Sequence, residues 1–193
     1  MKVVAFNGSP RPGGNTAQAI ETVFEELKKE GIETEVIQIG GKKLAGCIGC
    51  RKCFENKDMK CTLHDDGMNE YIAKMASADG IIIGSPVYYG NVTTAIKALI
   101  ERCGQVSRAN GDLLSRKIGA PVVAVRRGGA NFTYAAINFF FGIMQMPIAT
   151  SSYWNQTVAR DKGDFVKDEE GIRTFQNLGK NMAWLLKKTC SSN

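Results

Sequence analysis

The chain has 193 residues, 44% of them hydrophobic, and carries 25 Lys and Arg against 19 Asp and Glu for a net charge of +6. This length and apolar content suit one compact domain over residues 1–193. The charge excess is modest and spread along predicted helices, no nucleic-acid motif is present, and no apolar stretch approaches the ~18 residues of a membrane span, so nucleic acid and membrane are set aside as partners. From Met1 the chain runs into a strand over roughly 2–6, with no charged-then-apolar leader, which leads us to expect a cytoplasmic protein. A helix follows over roughly 15–30, with Ile20, Val23, Phe24 and Leu27 on one face. Glu33 to Ile39 alternates and ends at Gly40-Gly41, as a second strand does; a cysteine-rich insertion then covers 42–64. Asp65-Asp66 caps a helix carrying Ile72 and Met75, and the continuous apolar run at 80–84 is typical of a central parallel strand. A helix over roughly 92–103 carries Ile96, Leu99 and Ile100, and strand four covers 121–125. A Phe-rich helix over roughly 131–145, a fifth strand near Ile148 to Trp154 and a last helix over roughly 169–188 complete the chain.

Strands alternating with helices predict an α/β, doubly wound, five-stranded parallel sheet with helices on both faces and the cysteine-rich insertion after strand two. In such sheets a ligand lies beyond the carboxyl ends of the strands. Asn7-Gly8-Ser9-Pro10-Arg11-Pro12-Gly13-Gly14-Asn15-Thr16 joins the first strand to a helix N-terminus, where backbone N–H groups and the helix dipole favour an anion. Ser9, Asn15 and Thr16 add donors, and Arg11 adds a planar cationic fork. The loop has neither the glycine pattern of dinucleotide folds nor the Gly-Lys-Ser/Thr ending of a nucleoside-triphosphate loop, which points to a mononucleotide, with FMN the first candidate. A tight turn without a ligand is the plainer alternative.

After strand three comes Ser85-Pro86-Val87-Tyr88-Tyr89-Gly90-Asn91, where tyrosines suit a flat ring and Gly90 allows close approach, although paired tyrosines also serve ordinary packing. After strand four, Arg126-Arg127-Gly128-Gly129-Ala130-Asn131 offers an open turn and cations for a reduced flavin or a nicotinamide phosphate; solvated surface arginines are the alternative.

On Gly8-Ser9-Pro10-Arg11, Gly14-Asn15-Thr16, Gly84 to Asn91, Arg127-x-Gly129 and Asp168-Glu169-Glu170-Gly171, the chain resembles the NADPH-dependent FMN reductase family of the flavodoxin-like fold over nearly its whole length. The resemblance implies an FMN phosphate held by Ser9, Arg11, Asn15 and Thr16, with Gly14 in the same loop, and a ring cradled by Pro86, Val87, Tyr88, Tyr89, Gly90 and Asn91. Arg127, Gly128 and Gly129 form the third wall; Asn131-Phe132 stands where relatives often have a Gln-Glu pair, which weakens the expectation for that loop. The resemblance also favours dimers or tetramers. The apolar run Ala135 to Phe141 is a candidate for the contact, or for the core.

Cys47, Cys50, Cys53 and Cys61 are spaced C-x2-C-x2-C-x7-C. The first three match the ligand spacing of cubane iron–sulfur clusters, whose familiar form continues x3-C-P; here the last gap is seven and no proline follows. Within the resembled family the segment looks like that of the iron–sulfur flavoproteins, which carry a [4Fe–4S] cluster beside FMN. Tetrahedral zinc and free or redox-paired thiols remain the alternatives. Lys42, Lys43, Arg51, Lys52, Lys57 and Lys60 surround the thiols and suit an acidic carrier. His64, the single histidine, is a spare ligand or a loop residue, and Cys103 and Cys190 read as structural or exposed thiols.

The functional expectation is an FMN-dependent oxidoreductase drawing on NAD(P)H or a ferredoxin-like donor and serving a small-molecule or protein acceptor, with no side chain acting as nucleophile. A non-catalytic electron carrier and a redox-sensing FMN-binding module are the alternatives from other classes.

Overall fold

The computed structural model describes residues 1–63 and 65–190, the last without its side chain, so His64 and the Cys190 thiol fall outside the description. Five parallel strands make one sheet: β1 (Lys2–Asn7), β2 (Glu33–Gln38), β3 (Gly80–Pro86), β4 (Ile118–Val125) and β5 (Gln156–Val158). Their order, β2-β1-β3-β4-β5, is the flavodoxin-like winding, with its switch point between β1 and β3. The helices are α1 (Asn15–Lys29), α2 (Lys52–Asn56), α3 (Met68–Ser77), α4 (Thr94–Ala109), α5 (Ala130–Ile143) and α6 (Glu169–Cys190).

Because successive strand residues face opposite sides, the near-continuous apolar runs of β1, β3 and β4 feed two cores. Val3, Ala5, Ile82, Ile118, Ala120 and Val122 pack with α1 and α6 through Ile20, Val23, Phe24, Leu27, Phe175, Leu178 and Met182. Val4, Phe6, Ile81, Ile83, Val123 and Val125 pack with α3, α4 and α5 through Met68, Ile72, Met75, Ile96, Leu99, Ile137 and Phe141. Two covered faces fix the sheet rigidly, so the loops at its carboxyl edge have a firm platform. No helix among the described residues is long and apolar enough to cross a membrane.

Two local expectations are corrected. The predicted fifth strand at 148–154 is largely absent: Ile148 makes a single bridge to Gly119, and the chain rejoins the sheet at Gln156. Polar bonds to α6 hold the intervening residues off the sheet: the Ser151 hydroxyl donates to the Thr174 carbonyl at 2.6 Å, and Asn181 Nδ2 donates to the Thr150 carbonyl at 2.8 Å. The segment between β2 and α3 also contains a helix, α2, that periodicity did not suggest. It is bounded by Arg51 and Lys57, both in the left-handed region at φ 59° and 51°.

Candidate functional site

The loop after β1 turns at the carboxyl edge of the sheet and delivers the chain to α1. Among the described residues no side chain caps the first turn of α1, and no acidic side chain lies in it. Its leading N–H groups, which lack carbonyl partners within the helix, therefore present a positive dipole end to whatever lies beyond. Ser9, Arg11, Gly14, Asn15 and Thr16 line a cavity of about 160 Å³ there, together with Pro86, Val87 and Tyr88. Ser9 and Thr16 are buried, and Arg11 is exposed. The opposite wall comes from Arg126 after β4 and from Arg160 and Lys162 after β5. The chemistry is that of an anion site: one helix N-terminus, two hydroxyls and four cationic side chains.

Asn15 has a role that its sequence context did not reveal. Its Oδ1 accepts N–H bonds from Gly163 at 3.0 Å and Phe165 at 3.3 Å, while its Nδ2 donates to the Asp161 carbonyl at 2.9 Å. The side chain thereby ties the Arg160–Lys162 strap to the start of α1.

The loop after β3 is a tight hairpin. Tyr88 and Asn91 exchange backbone bonds of 2.9 and 3.0 Å, and the two residues between them, Tyr89 and Gly90, have φ values of 50° and 73°. Two consecutive left-handed residues give the mirror-type turn that suits strand twist. Gly90 occupies this conformation freely, whereas Tyr89 does so with strain, its ring fully exposed. Gly129, at φ 89°, packs beneath the hairpin: a Cβ there would lie 3.2 Å from Gly90 Cα and 3.2 Å from Val87 Cγ1. Arg127 and Gly128 are exposed, and they stand outside the cavity lining together with Tyr89, Gly90, Asn91 and Gly129; Arg126 supplies the third loop's contribution to it.

Cys47, Cys50, Cys53 and Cys61 line a second cavity, of about 450 Å³, whose far wall includes Arg102, Gln105 and Arg108 of α4. The backbone here is irregular, with Gly49, Arg51, Lys57 and Met59 all at positive φ between 51° and 68°. Gly49 N–H reaches Cys47 Sγ at 3.4 Å, and Arg102 Nε donates to Cys61 Sγ at 3.2 Å. Among the described residues no three Cys, His, Asp or Glu side chains converge as a ready single-ion site. Burial pushes the Cys53 thiol up from its ordinary value, with the neighbouring thiols Cys61 and Cys47 adding to the effect and backbone N–H groups opposing it. Cys103 is buried and its thiol is driven far up by desolvation, which marks it as a packing residue. Of the basic residues around the thiols, Lys42, Lys43, Arg51, Lys52, Lys57 and Lys60 are all exposed.

Three positions at the cysteine cavity escaped the sequence reading. Glu101 Oε2 accepts the Cys47 N–H at 3.1 Å, and Asn69 holds the Cys61 backbone on both sides, at 2.8 and 3.0 Å. Arg102 is the third, and the one available signal was a cation set between the apolar Leu99 and Val106 on a core-facing helix.

Comparison with known proteins bears on the family and the fold. The family model of NADPH-dependent FMN reductases matches residues 1–160. An iron-sulfur flavoprotein of Methanocaldococcus jannaschii is 40% identical over 194 aligned residues, covering 97% of this chain and 98% of its own. An iron-sulfur flavoprotein of Archaeoglobus fulgidus is 34% identical, covering 98% of this chain and 97% of its own. Among solved structures, a flavodoxin from the domain Archaea superposes with a TM-score of 0.63 at 16% identity, over 97% of this chain and 99% of that one, which supports the fold.

Proposed function

Since the chain belongs to the NADPH-dependent FMN reductase family, we propose that it is an FMN-dependent oxidoreductase that also carries a [4Fe–4S] cluster on Cys47, Cys50, Cys53 and Cys61. The observation that carries the reading is the gathering of these four cysteines, spread over fifteen positions, around one cavity. The thiols line a cavity wall instead of meeting at a point, which suits a multi-iron group better than a single zinc.

Ser9, Arg11, Thr16 and the first turn of α1 hold the FMN phosphate, with Arg126, Arg160 and Lys162 closing over it. Asn15 acts by fixing the strap that carries two of these cations. Pro86 to Asn91 present a rigid hairpin to the ring, and Gly129 allows the third loop to approach it, with Arg127 and Gly128 at the rim. When bound, FMN and the cluster supply the one- and two-electron chemistry, for which no protein nucleophile is required. Electrons come from NAD(P)H or an acidic, ferredoxin-like donor drawn to the exposed basic residues beside the thiols, and they leave to a small-molecule or protein acceptor. Phe132, Phe139 and Ile143 are exposed along one side of α5, at 72%, 77% and 62%, and this face supports assembly into a dimer or tetramer.

The test is the absorption spectrum of protein purified without oxygen, with iron assayed on the same sample. Flavin bands, an iron–sulfur shoulder and about four irons per chain support the reading, whereas flavin without iron removes the cluster. The exposed basic surface favours a second reading, a flavin carrier with no substrate pocket, and rapid oxidation of NADPH by the purified protein would reject it.

A further inference from the structure

Arg102 is 1% exposed and is the largest fully buried side chain among the described residues. Burying a guanidinium is costly unless its donors and its charge are met. Nη1 donates to Asp66 Oδ2 at 2.5 Å and to the Ala45 carbonyl at 3.3 Å. Asp66 in turn accepts the N–H groups of Ala45 at 3.2 Å and Met68 at 3.3 Å. The pair thus grips both sides of the Ala45 residue, two positions before the first cysteine of the cavity. The remaining named bond, Nε to Cys61 Sγ at 3.2 Å, is of a different kind. A neutral thiol is a poor acceptor, and a buried fork aimed at one gains little; a sulfur bearing negative charge is a far better partner.

Asn69 and Glu101 also hold the cysteine segment, but through the backbone of Cys61 and Cys47. Among the hydrogen bonds described at the cavity, Arg102 provides the one from a charged side chain to a sulfur. We propose that Arg102 is a positioning residue that sets the reduction potential of the cluster by donating a charge-assisted hydrogen bond from Nε to Cys61 Sγ. The inference rests on the cluster reading given above. Its physical basis is that reduction adds negative charge, which a nearby cation and an N–H···S bond stabilise, so the potential rises. Asp66 opposes this by partly neutralising the guanidinium. The two residues therefore act with opposite sign on the potential, although they act together on the fold.

That opposition is the test. Midpoint potentials of the loaded protein are measured by anaerobic titration, followed by absorption and by electron paramagnetic resonance, in wild type, Arg102→Gln, Arg102→Lys and Asp66→Asn, with iron assayed in each. Arg102→Gln is expected to lower the potential and Asp66→Asn to raise it. Arg102→Lys, which retains the charge without the fork, falls between wild type and Arg102→Gln. A scaffolding role alone would reduce iron content in all three while leaving the potential of the loaded fraction unmoved, and that outcome overturns the inference. So do shifts of the same sign in Arg102→Gln and Asp66→Asn. Should Arg102→Gln fail to fold, Asp66→Asn and Arg102→Lys decide by the same signs. A wild-type protein without iron overturns the cluster reading itself, whereas iron in place with an unmoved potential overturns only the role of Arg102.

Discussion

Replacing Asn15 by Ala separates a tether from a phosphate ligand. The substitution removes acceptors from two partly buried N–H groups, those of Gly163 and Phe165, and one donor from the exposed Asp161 carbonyl. At about 1 kcal/mol for each partly buried bond and a few tenths for the exposed one, the loss is about 2 kcal/mol. The better helix propensity of Ala at this first helical position returns a few tenths. For a chain of this size the remainder corresponds to a fall in Tm of roughly 3–7 °C. It should be present in protein stripped of FMN, because the bonds are internal to the chain. FMN affinity, followed by quenching of flavin fluorescence, should fall about tenfold as the strap bearing Arg160 and Lys162 loses its fixed position. Asn15→Asp keeps the Oδ1 acceptor for both N–H groups, so it should recover most of the stability of the FMN-free protein. It also sets a carboxylate among the phosphate donors and should bind FMN more weakly still. If the FMN-free Asn15→Ala protein unfolds at the wild-type urea midpoint, the tether carries no stability and Asn15 does not fix the strap.

Arg160→Ala should weaken FMN binding by about tenfold at low salt and by less at high salt, as expected for an exposed cation acting through its charge; titrations at two ionic strengths check this. Gly129→Ala forces a left-handed non-glycine residue and pushes a Cβ against Gly90, so it should cost about 1–2 kcal/mol and lower Tm by roughly 2–8 °C in a thermal scan. Asp168 is pushed up by burial but pulled further down by the Thr157 hydroxyl and the N–H groups of Gly171 and Val158, so its folded pKa lies below the ordinary carboxylate value. Its stabilising contribution is therefore full above about pH 4 and is lost as pH falls through the folded value. The fall in urea midpoint across acid pH should be smaller in Asp168→Asn than in wild type, the remainder coming from the other lowered carboxylates, Asp66 and Glu35 among them.

Where the chain obeys period-two or period-3.6 patterning, the fold was open to reading. The first strand, its Gly/Ser loop and the amphipathic α1 stand where the pattern places them, and so does the apolar β3 with the aromatic loop after it. Ile148 to Trp154 imitates a strand because β-branched and aromatic residues stand at its two ends, but nothing local reveals that Ser151 and Thr150 bond to a helix more than twenty residues further on. Helix α2 depends on two left-handed non-glycine residues, Arg51 and Lys57, a conformation no propensity would assign to them. The cations Arg160 and Lys162 look like solvated surface residues until the strand order puts their loop opposite Ser9. Arg102 was hidden for the converse reason, since a cation in a core-facing helix has meaning only through the partners that tertiary contact brings to it.

Helix α4 connects the two cavities. At its start, the Thr93 hydroxyl donates to the Gly8 carbonyl at 3.0 Å, and the Thr93 N–H donates to Ser85 Oγ at 3.1 Å. These bonds join the first and second loops of the proposed flavin site, and the hydroxyl that a threonine at this position would ordinarily turn inward as a cap reaches across to the neighbouring loop. Two turns later the same helix presents Glu101 to the Cys47 backbone and Arg102 to the Cys61 sulfur. Eight residues at 1.5 Å each put about 12 Å of helix between these anchor points. Leu99, buried completely between them, and Ile96 anchor that length in the core that the helix shares with β3 and α5. The relative placement of the two cavities is therefore held by a stiff, packed element of the fold itself.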